Sequence, residues 1–381
     1  MSQNDQEGKA PVRGLQDVVA GETRVSYVDG VNGMLIYNGY DVRELAEHTT
    51  FDEVVYLSWY GQLPTRSELA SFRARLVSEM RLPSQVISMI RLAPAGAHPM
   101  DVLRTAVSAL SMFDPESGDM SPAANERKLV RLLAQVMTII ADMHRVRSNE
   151  SVVSPDPGLD IGDNFLYMFR GRQPDEEEKK AFDQLLLLHL DHGFNASTFA
   201  ARVTASTLAD MHAALATAIG TLKGSLHGGA NERVMEMLDE IDHVDMVDSY
   251  IQGMLDNGKR IMGFGHRVYR VEDPRARVLR HWSERLCHRA AMADLYAISH
   301  RIEQVVLAQK GIYPNVDFYS ATVQHALGIP RQYFTTLFAA SRTAGWLAHV
   351  MEQYADNRLI RPTSKYIGGW NRKVVPIAER G

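Results

Sequence analysis

The stretch GFGHRVYR, Gly263 to Arg270, is where the choice of fold turns. Its G-x-G opening is the beginning of a dinucleotide-binding fingerprint, which would commit the chain to alternating strands and helices. That fingerprint needs a third glycine at the sixth position, where Val268 stands. A lone G-x-G is weak evidence, so the stretch has to be read with its surroundings. Asp273-Pro274 follows and reads as a helix start, which puts His266 and Arg270 on the loop leading into that helix and Arg275 in its first turn.

Outward from this loop the pattern is helical almost everywhere. SPAANERKLVRLLAQVMTIIADMHRV, from Ser121, carries an N-cap serine, a proline at the first helical position and apolar residues at helical spacing. TTFDEVVYLSWYGQLPTRSEL shows a polar cap, an apolar stripe and a Gly-Pro break before the next helix. PDEEEKKAFDQLLLLHLDH places acids in a first turn, where the helix dipole favours them. NASTFAARVTASTLADMHAALATAIG is rich in small residues that suit close helix packing, and the segments from Asn231, Asp273, Leu295 and Pro330 also read as helices. Thr23 to Tyr37 alternates β-formers around Gly, Asn and Asp, and reads as a short hairpin. The first ten or so residues read as a mobile tail. The expected class is all-α with one short N-terminal hairpin. No repeat or low-complexity tract interrupts it.

Composition bounds the function. With 381 residues the default is two domains. A net charge of −5 with no basic tract argues against a dedicated nucleic-acid binder. One cysteine, Cys287, allows neither an internal disulfide nor a thiolate metal cage, and it falls inside an apparent helix. The polar start lacks a signal core, and QLLLLHL is too short to span a bilayer, so a cytoplasmic protein without membrane partners is expected.

Three stretches put a histidine or aspartate at a helix edge beside glycine. In LKGSLHGGANERV the glycines end one helix and another begins, so His227 sits near a helix N-terminus, where the dipole disfavours imidazolium. A neutral histidine there can donate to a developing enolate oxygen; the plainer alternative is a loop histidine capping the helix. Arg267, Arg270 and Arg275 crowd a helix start, which suits carboxylate or phosphate binding, against the alternative of a solvated basic face. In YPNVDFYSATV, Asp317 is either a helix N-cap or a carboxylate base whose burial between Val316 and Phe318 raises its pKa. His189 and His192 have the i, i+3 spacing that chelates metal on one helix face, but no third ligand and no HExxH accompany them, so no metal is assigned. A GxSxG elbow is also missing.

In order, LHGGAN, GFGHRVYR…DPRA and NVDFYS resemble the three catalytic blocks of the citrate synthase family. LDHGFNAST, SRTAGWLAHVMEQ, RPTSKYIG and the opening GLQDVVAGETRVSYVDG and YNGYDVRELAE are similar to further family blocks, so the resemblance covers nearly the whole chain. The likeness is to the short bacterial and archaeal branch, which includes citrate and 2-methylcitrate synthases, without the N-terminal extension of the NADH-regulated hexameric branch.

The resemblance implies a large helical domain (1–222 and 326–381) with a smaller helical domain (223–325) inserted in it, and a homodimer. It implies condensation of acetyl-CoA with oxaloacetate, then thioester hydrolysis, with no metal or redox cofactor. His227, His266 and Asp317 would form the catalytic trio. Oxaloacetate would be held by His192, His266, Arg275 and Arg342, with Arg361 supplied by the second subunit. CoA would meet Gly263, Phe264 and Gly265 by backbone on its adenine side, Arg270, and Lys310 at a phosphate. Use of propionyl-CoA as a 2-methylcitrate synthase is the enzymatic alternative, since the trio is common to both. A silent helical regulatory paralogue is the non-enzymatic one, and it would be expected to have lost a member of the trio.

Overall fold

The computed structural model describes residues 12–15 and 18–380; the expected N-terminal tail lies outside them. The chain forms two compact units. Thr23–Arg358 is one, and the terminal segments up to Glu22 and from Leu359 make the other. Among its described residues the terminal unit holds two short 3₁₀ turns, Arg13–Leu15 and Ile377–Glu379.

The main unit begins with an antiparallel sheet of β1 (Ser26–Asp29), β2 (Met34–Tyr37) and β3 (Tyr40–Asp41). Ser26 pairs with Tyr37 and Asp29 with Met34. The Asp29 carboxylate accepts the backbone N–H groups of Val31 (3.0 Å) and Asn32 (2.9 Å) and so closes the first turn. The second turn is Asn38-Gly39, both at positive φ, the pair a tight two-residue hairpin demands. The expected hairpin is therefore present and gains a third short strand.

The named elements that follow it are helices, joined by loops. The first group is α1 (Val42–His48), α2 (Phe51–Tyr60), α3 (Arg66–Ser78), α4 (Ser84–Leu92), α5 (Pro99–Leu110) and α6 (Pro122–Arg147). Next come α7 (Ile161–Arg170), α8 (Glu176–His189), α9 (Ala196–Ser206) and α10 (Met211–Leu222). The last group is α11 (Ala230–Asp239), α12 (Val247–Asp256), α13 (Pro274–Arg289), α14 (Ala293–Lys310), α15 (Val316–Ala326) and α16 (Phe334–Ala355). Caps explain most boundaries. Ser121 Oγ accepts from the Ala124 N–H at the start of α6, and Gly61 ends α2 in the left-handed conformation. The small-residue stretch from Asn195 divides into α9 and α10: Leu208 takes φ +62°, which breaks the helix, and Asp210 caps the next one.

The core is built around α6 and α16. Leu132, Leu133, Val136, Ile139 and Ile140 of α6 are fully buried. Burial of each such side chain contributes about 1.5–3 kcal/mol. α16 packs against α2, α6, α8, α9 and α10, and its small residues let neighbouring chain approach. A Cβ on Gly345 would run into the Leu190 carbonyl and lie 2.8 Å from Asp191 Oδ1. That contact brings the turn after α8, with His192 on it, down onto α16. Cys287 is buried within α13.

Candidate active site

The loop quoted first is held open by its own histidine. His266 Nδ1 accepts the backbone N–H groups of Val268 (3.0 Å) and Tyr269 (3.1 Å). A ring nitrogen that accepts cannot carry the proton, so His266 is protonated at Nε2 alone and offers that N–H outward. Burial, with Arg275 nearby, pushes its pKa down to about 4, partly offset by Asp273. His192 lies across from it with ring centroids 5.0 Å apart, and its Nε2 is 3.2 Å from the Tyr269 hydroxyl. Burial and then Arg275 hold His192 well below the ordinary histidine range.

Two buried guanidinium groups stand behind these rings. Arg275 is 2% exposed and binds Asp273 through Nε (2.9 Å) and Nη2 (2.8 Å), while Asp273 also caps α13 by accepting the Arg275 N–H. Sequence left open an external anion to offset Arg275 at the helix start; Asp273 is a counterion within the chain. Arg342, on α16, donates Nε to the His189 carbonyl at 2.7 Å and lies over the Phe338 ring. Its two terminal nitrogens have no hydrogen-bond partner among the described residues. Burial lowers its pKa to about 10, which leaves it charged at neutral pH.

His189 and His192 do not share a helix face. His189 is the last residue of α8, buried, with Nδ1 donating to the Leu185 carbonyl at 2.8 Å, whereas His192 is in the following turn. Among the described residues no group of three or more His, Cys, Asp or Glu has a metal-binding arrangement.

His227 sits just before α11, whose N-cap is Gly229. The Ser197 backbone N–H donates to His227 Nε2 at 3.2 Å, and the Ser197 hydroxyl is 2.8 Å away. The imidazole proton is therefore on Nδ1, and burial, with Arg342 adding, lowers the pKa to about 4. Ser197 is itself held by the Trp346 indole N–H at 3.1 Å. Arg233 donates to the carbonyls of Ser225, Gly228 and Gly229 and fixes the loop around His227.

Asp317 is the second residue of α15, not its cap. Asn315 is the cap, accepting the Asp317 N–H at 3.0 Å, so the plainer alternative for Asp317 is set aside. Burial raises the Asp317 carboxyl to about 6; Arg275 opposes the rise and Asp273 adds to it. Val316 and Phe318 on either side are buried, as expected. The result is two neutral imidazoles with opposite tautomers, one carboxylate poised near neutrality, and two fixed cations that Asp317 senses. Such a set can remove a proton from a weak carbon acid, donate to two oxygens and hold a dianion.

Gly263 and Gly265 both have positive φ, and their backbone pairs with 313–315. The Gly263 carbonyl accepts from Asn315 N–H (2.8 Å), Gly265 N–H donates to Tyr313 O (3.0 Å), and the Gly265 carbonyl accepts from Asn315 Nδ2 (2.8 Å). The Phe264 ring stacks edge-on to Phe318. Arg270 and Lys310 are exposed and have no side-chain partner among the described residues. Arg361 is exposed in the terminal unit and is described apart from this site.

Sequence reasoning passed over Tyr269, Ser197 and Asn315. Tyr269 was inside the quoted loop, but nothing local said it would face His192. Ser197 follows the expected start of a helix, and only the fold brings it to His227. Asn315 stands two residues before Asp317, and Asn is as good a cap as Asp.

A family model described as citrate synthase, C-terminal domain, matches residues 14–363. A citrate synthase of Deinococcus radiodurans is 46% identical, over 97% of this chain and 98% of its own. A 2-methylcitrate synthase of Shewanella oneidensis is 43% identical, over 96% and 97%. The structure of citrate synthase from Thermoplasma acidophilum in ternary complex with carboxymethyl coenzyme A and oxaloacetate superposes with a TM-score of 0.93. It is 35% identical and covers 98% of this chain and all of that one.

Proposed function

The chain belongs to the citrate synthase family, and from that premise we propose that it condenses acetyl-CoA with oxaloacetate and hydrolyses the resulting thioester to citrate and CoA. The observation that carries this is the protonation pattern around Arg275 and Arg342: Asp317, which senses both cations, is raised to about 6, while His227, which senses Arg342, and His266, which senses Arg275, are both held neutral at about 4. Asp317 takes a methyl proton from the thioester while His227 Nδ1–H stabilises the enol oxygen. The enol carbon attacks the ketone of oxaloacetate as His266 Nε2–H donates to its oxygen. Water then cleaves the citryl thioester. No step calls for a metal or redox cofactor.

Arg275, Arg342 and His192 hold the oxaloacetate carboxylates, and guanidinium forks suit that geometry. Arg361 comes from the partner of a homodimer. Residues 223–325 act as a smaller domain moving against 1–222 and 326–381. CoA lies along Gly263, Phe264 and Gly265, with Arg270 and Lys310 facing its phosphates; their exposed, unpaired side chains support this. No helix among the described residues is long and apolar enough to cross a membrane, and with a single buried cysteine the proposed location is the cytoplasm.

Kinship with the Shewanella 2-methylcitrate synthase supports propionyl-CoA as a second substrate. One methylene in an apolar pocket is worth about 1–3 kcal/mol, so mixed use is expected. The test is CoA release from acetyl-CoA plus oxaloacetate, repeated with propionyl-CoA. A kcat/KM ratio favouring acetyl-CoA supports the first reading, and one favouring propionyl-CoA the second. Release with neither would refute both.

A further inference from the structure

The small N-terminal sheet touches both histidine-bearing loops. Ser26 of β1 donates its hydroxyl to the buried Asp191 carboxylate and accepts the Gly193 N–H at 2.9 Å, so it grips the residues on either side of His192. The Tyr37 hydroxyl of β2 accepts the Asp191 N–H (3.2 Å) and donates to the Asp191 carbonyl (2.9 Å). At the other end of the hairpin, the Gly30 carbonyl accepts the Arg270 N–H at 2.8 Å. Gly30 also lies flat against the His266 loop. A Cβ there would meet the Val268 carbonyl, with the carbonyl carbon at 2.7 Å and Val268 Cγ1 at 2.9 Å. Its φ is negative, so the need for glycine is the approach of Val268, not backbone strain. The Val268 N–H is also one of the two that fix the His266 tautomer.

We propose that this hairpin is a brace that sets the spacing of His192 and His266, with Ser26 and Gly30 as positioning residues for the keto-acid carbonyl and carboxylate. The proposal rests on the oxaloacetate reading of the site. Five hydrogen bonds and one close backbone approach tie two loops more than 70 residues apart in sequence to one four-residue turn and its strands. The two loops that bring the His192 and His266 rings to 5.0 Å are each held from this side. The brace does not touch His227, and it meets Arg270 through the backbone N–H alone, so its main effect falls on the keto-acid side.

The test compares Gly30→Ala and Ser26→Ala with Val31→Ala, an exposed control in the same turn. Wild type is assayed first; if it releases no CoA from acetyl-CoA and oxaloacetate, the functional reading fails and the brace falls with it for that separate reason. Given an active wild type, misplacement of a reacting group by about 1 Å costs on the order of 10²-fold. Gly30→Ala is therefore expected to raise the oxaloacetate KM and lower kcat by a combined factor of about 10–100, with the acetyl-CoA KM rising by a smaller factor than the oxaloacetate KM. The C=O stretch of bound oxaloacetate labelled at the ketone carbon should move toward its free frequency, because His266 no longer points at it. Ser26→Ala should raise the oxaloacetate KM, and Val31→Ala should match wild type. Equal rises in both KM values with an unmoved carbonyl stretch would mean general loosening and overturn the brace. So would wild-type kinetics in both variants. If Gly30→Ala does not fold, Ser26→Ala decides in the same two readouts.

Discussion

Replacing Asp317 by Asn separates chemistry from architecture at one atom. The start of α15 is left alone, because Asn315 holds the cap and the Asp317 N–H still donates to it. The proton acceptor is lost, and general base catalysis typically contributes about 10²–10⁴-fold, so kcat should fall by that order. Stability should move the other way. The carboxyl is raised from 3.8 to about 6 in the folded chain, mainly by burial. A pKa unit corresponds to about 1.4 kcal/mol, and solvent contact at a partly exposed group screens the effect, leaving about 1–2 kcal/mol against the ionised wild type. For an acid whose folded pKa is raised, the native state holds its proton longer than the unfolded state. Wild-type stability is then favoured below pH 3.8 and declines as pH rises through 6. The Asn variant should be more stable than wild type above about pH 6, and the gap should close near pH 4. The assays are CoA release and urea unfolding at pH 4, 5, 6, 7 and 8. Turnover within about tenfold of wild type would refute Asp317 as the base. A variant less stable at pH 8 would refute the burial account of its pKa.

Mixed dimers of Arg361→Ala and Asp317→Asn chains should regain one working site per dimer; no recovery after verified subunit exchange would count against Arg361 acting in trans. Asp273→Ala should unfold at lower urea concentration, because it strands buried Arg275 without its counterion, a loss on the order of 3–5 kcal/mol; an unchanged midpoint would contradict that pairing. Activity should survive a strong chelator, and loss restored by zinc would overturn the assignment of His192 to oxaloacetate. Cys287 should resist alkylation in the folded protein, since burial pushes its thiol up to about 11; rapid labelling under native conditions would show that α13 opens.

The helical class was legible because its signals are local. Ser121-Pro122, Asp273-Pro274 and the Gly61 break each state a boundary within two or three residues. The α9–α10 break was not legible, because a leucine at positive φ gives no warning in sequence. The settings of two candidate residues were legible from their neighbours: His227 before a helix start, and Asp317 between the buried Val316 and Phe318. Legibility failed where the role is a relation between distant parts. Asp273 showed as a helix start, but not as the partner of Arg275. His189 and His192 had chelating spacing only if one helix carried both, and α8 ends between them.

Asp273 has a second consequence. Besides binding Arg275, its carboxylate accepts the Val316 N–H at 3.2 Å, while 263–265 pairs with 313–315 at the other end of the same loop. The stretch from Gly263 to Asp273 is thus fastened at both ends to the start of α15, like a handle. His266 rides on the handle and Asp317 on the helix it is attached to, so heat cannot loosen one without releasing the other. The rate should climb with temperature along a single smooth slope until the handle detaches. Activity should then end abruptly rather than fade, even though the helical content of α6 and α16 persists to higher temperature.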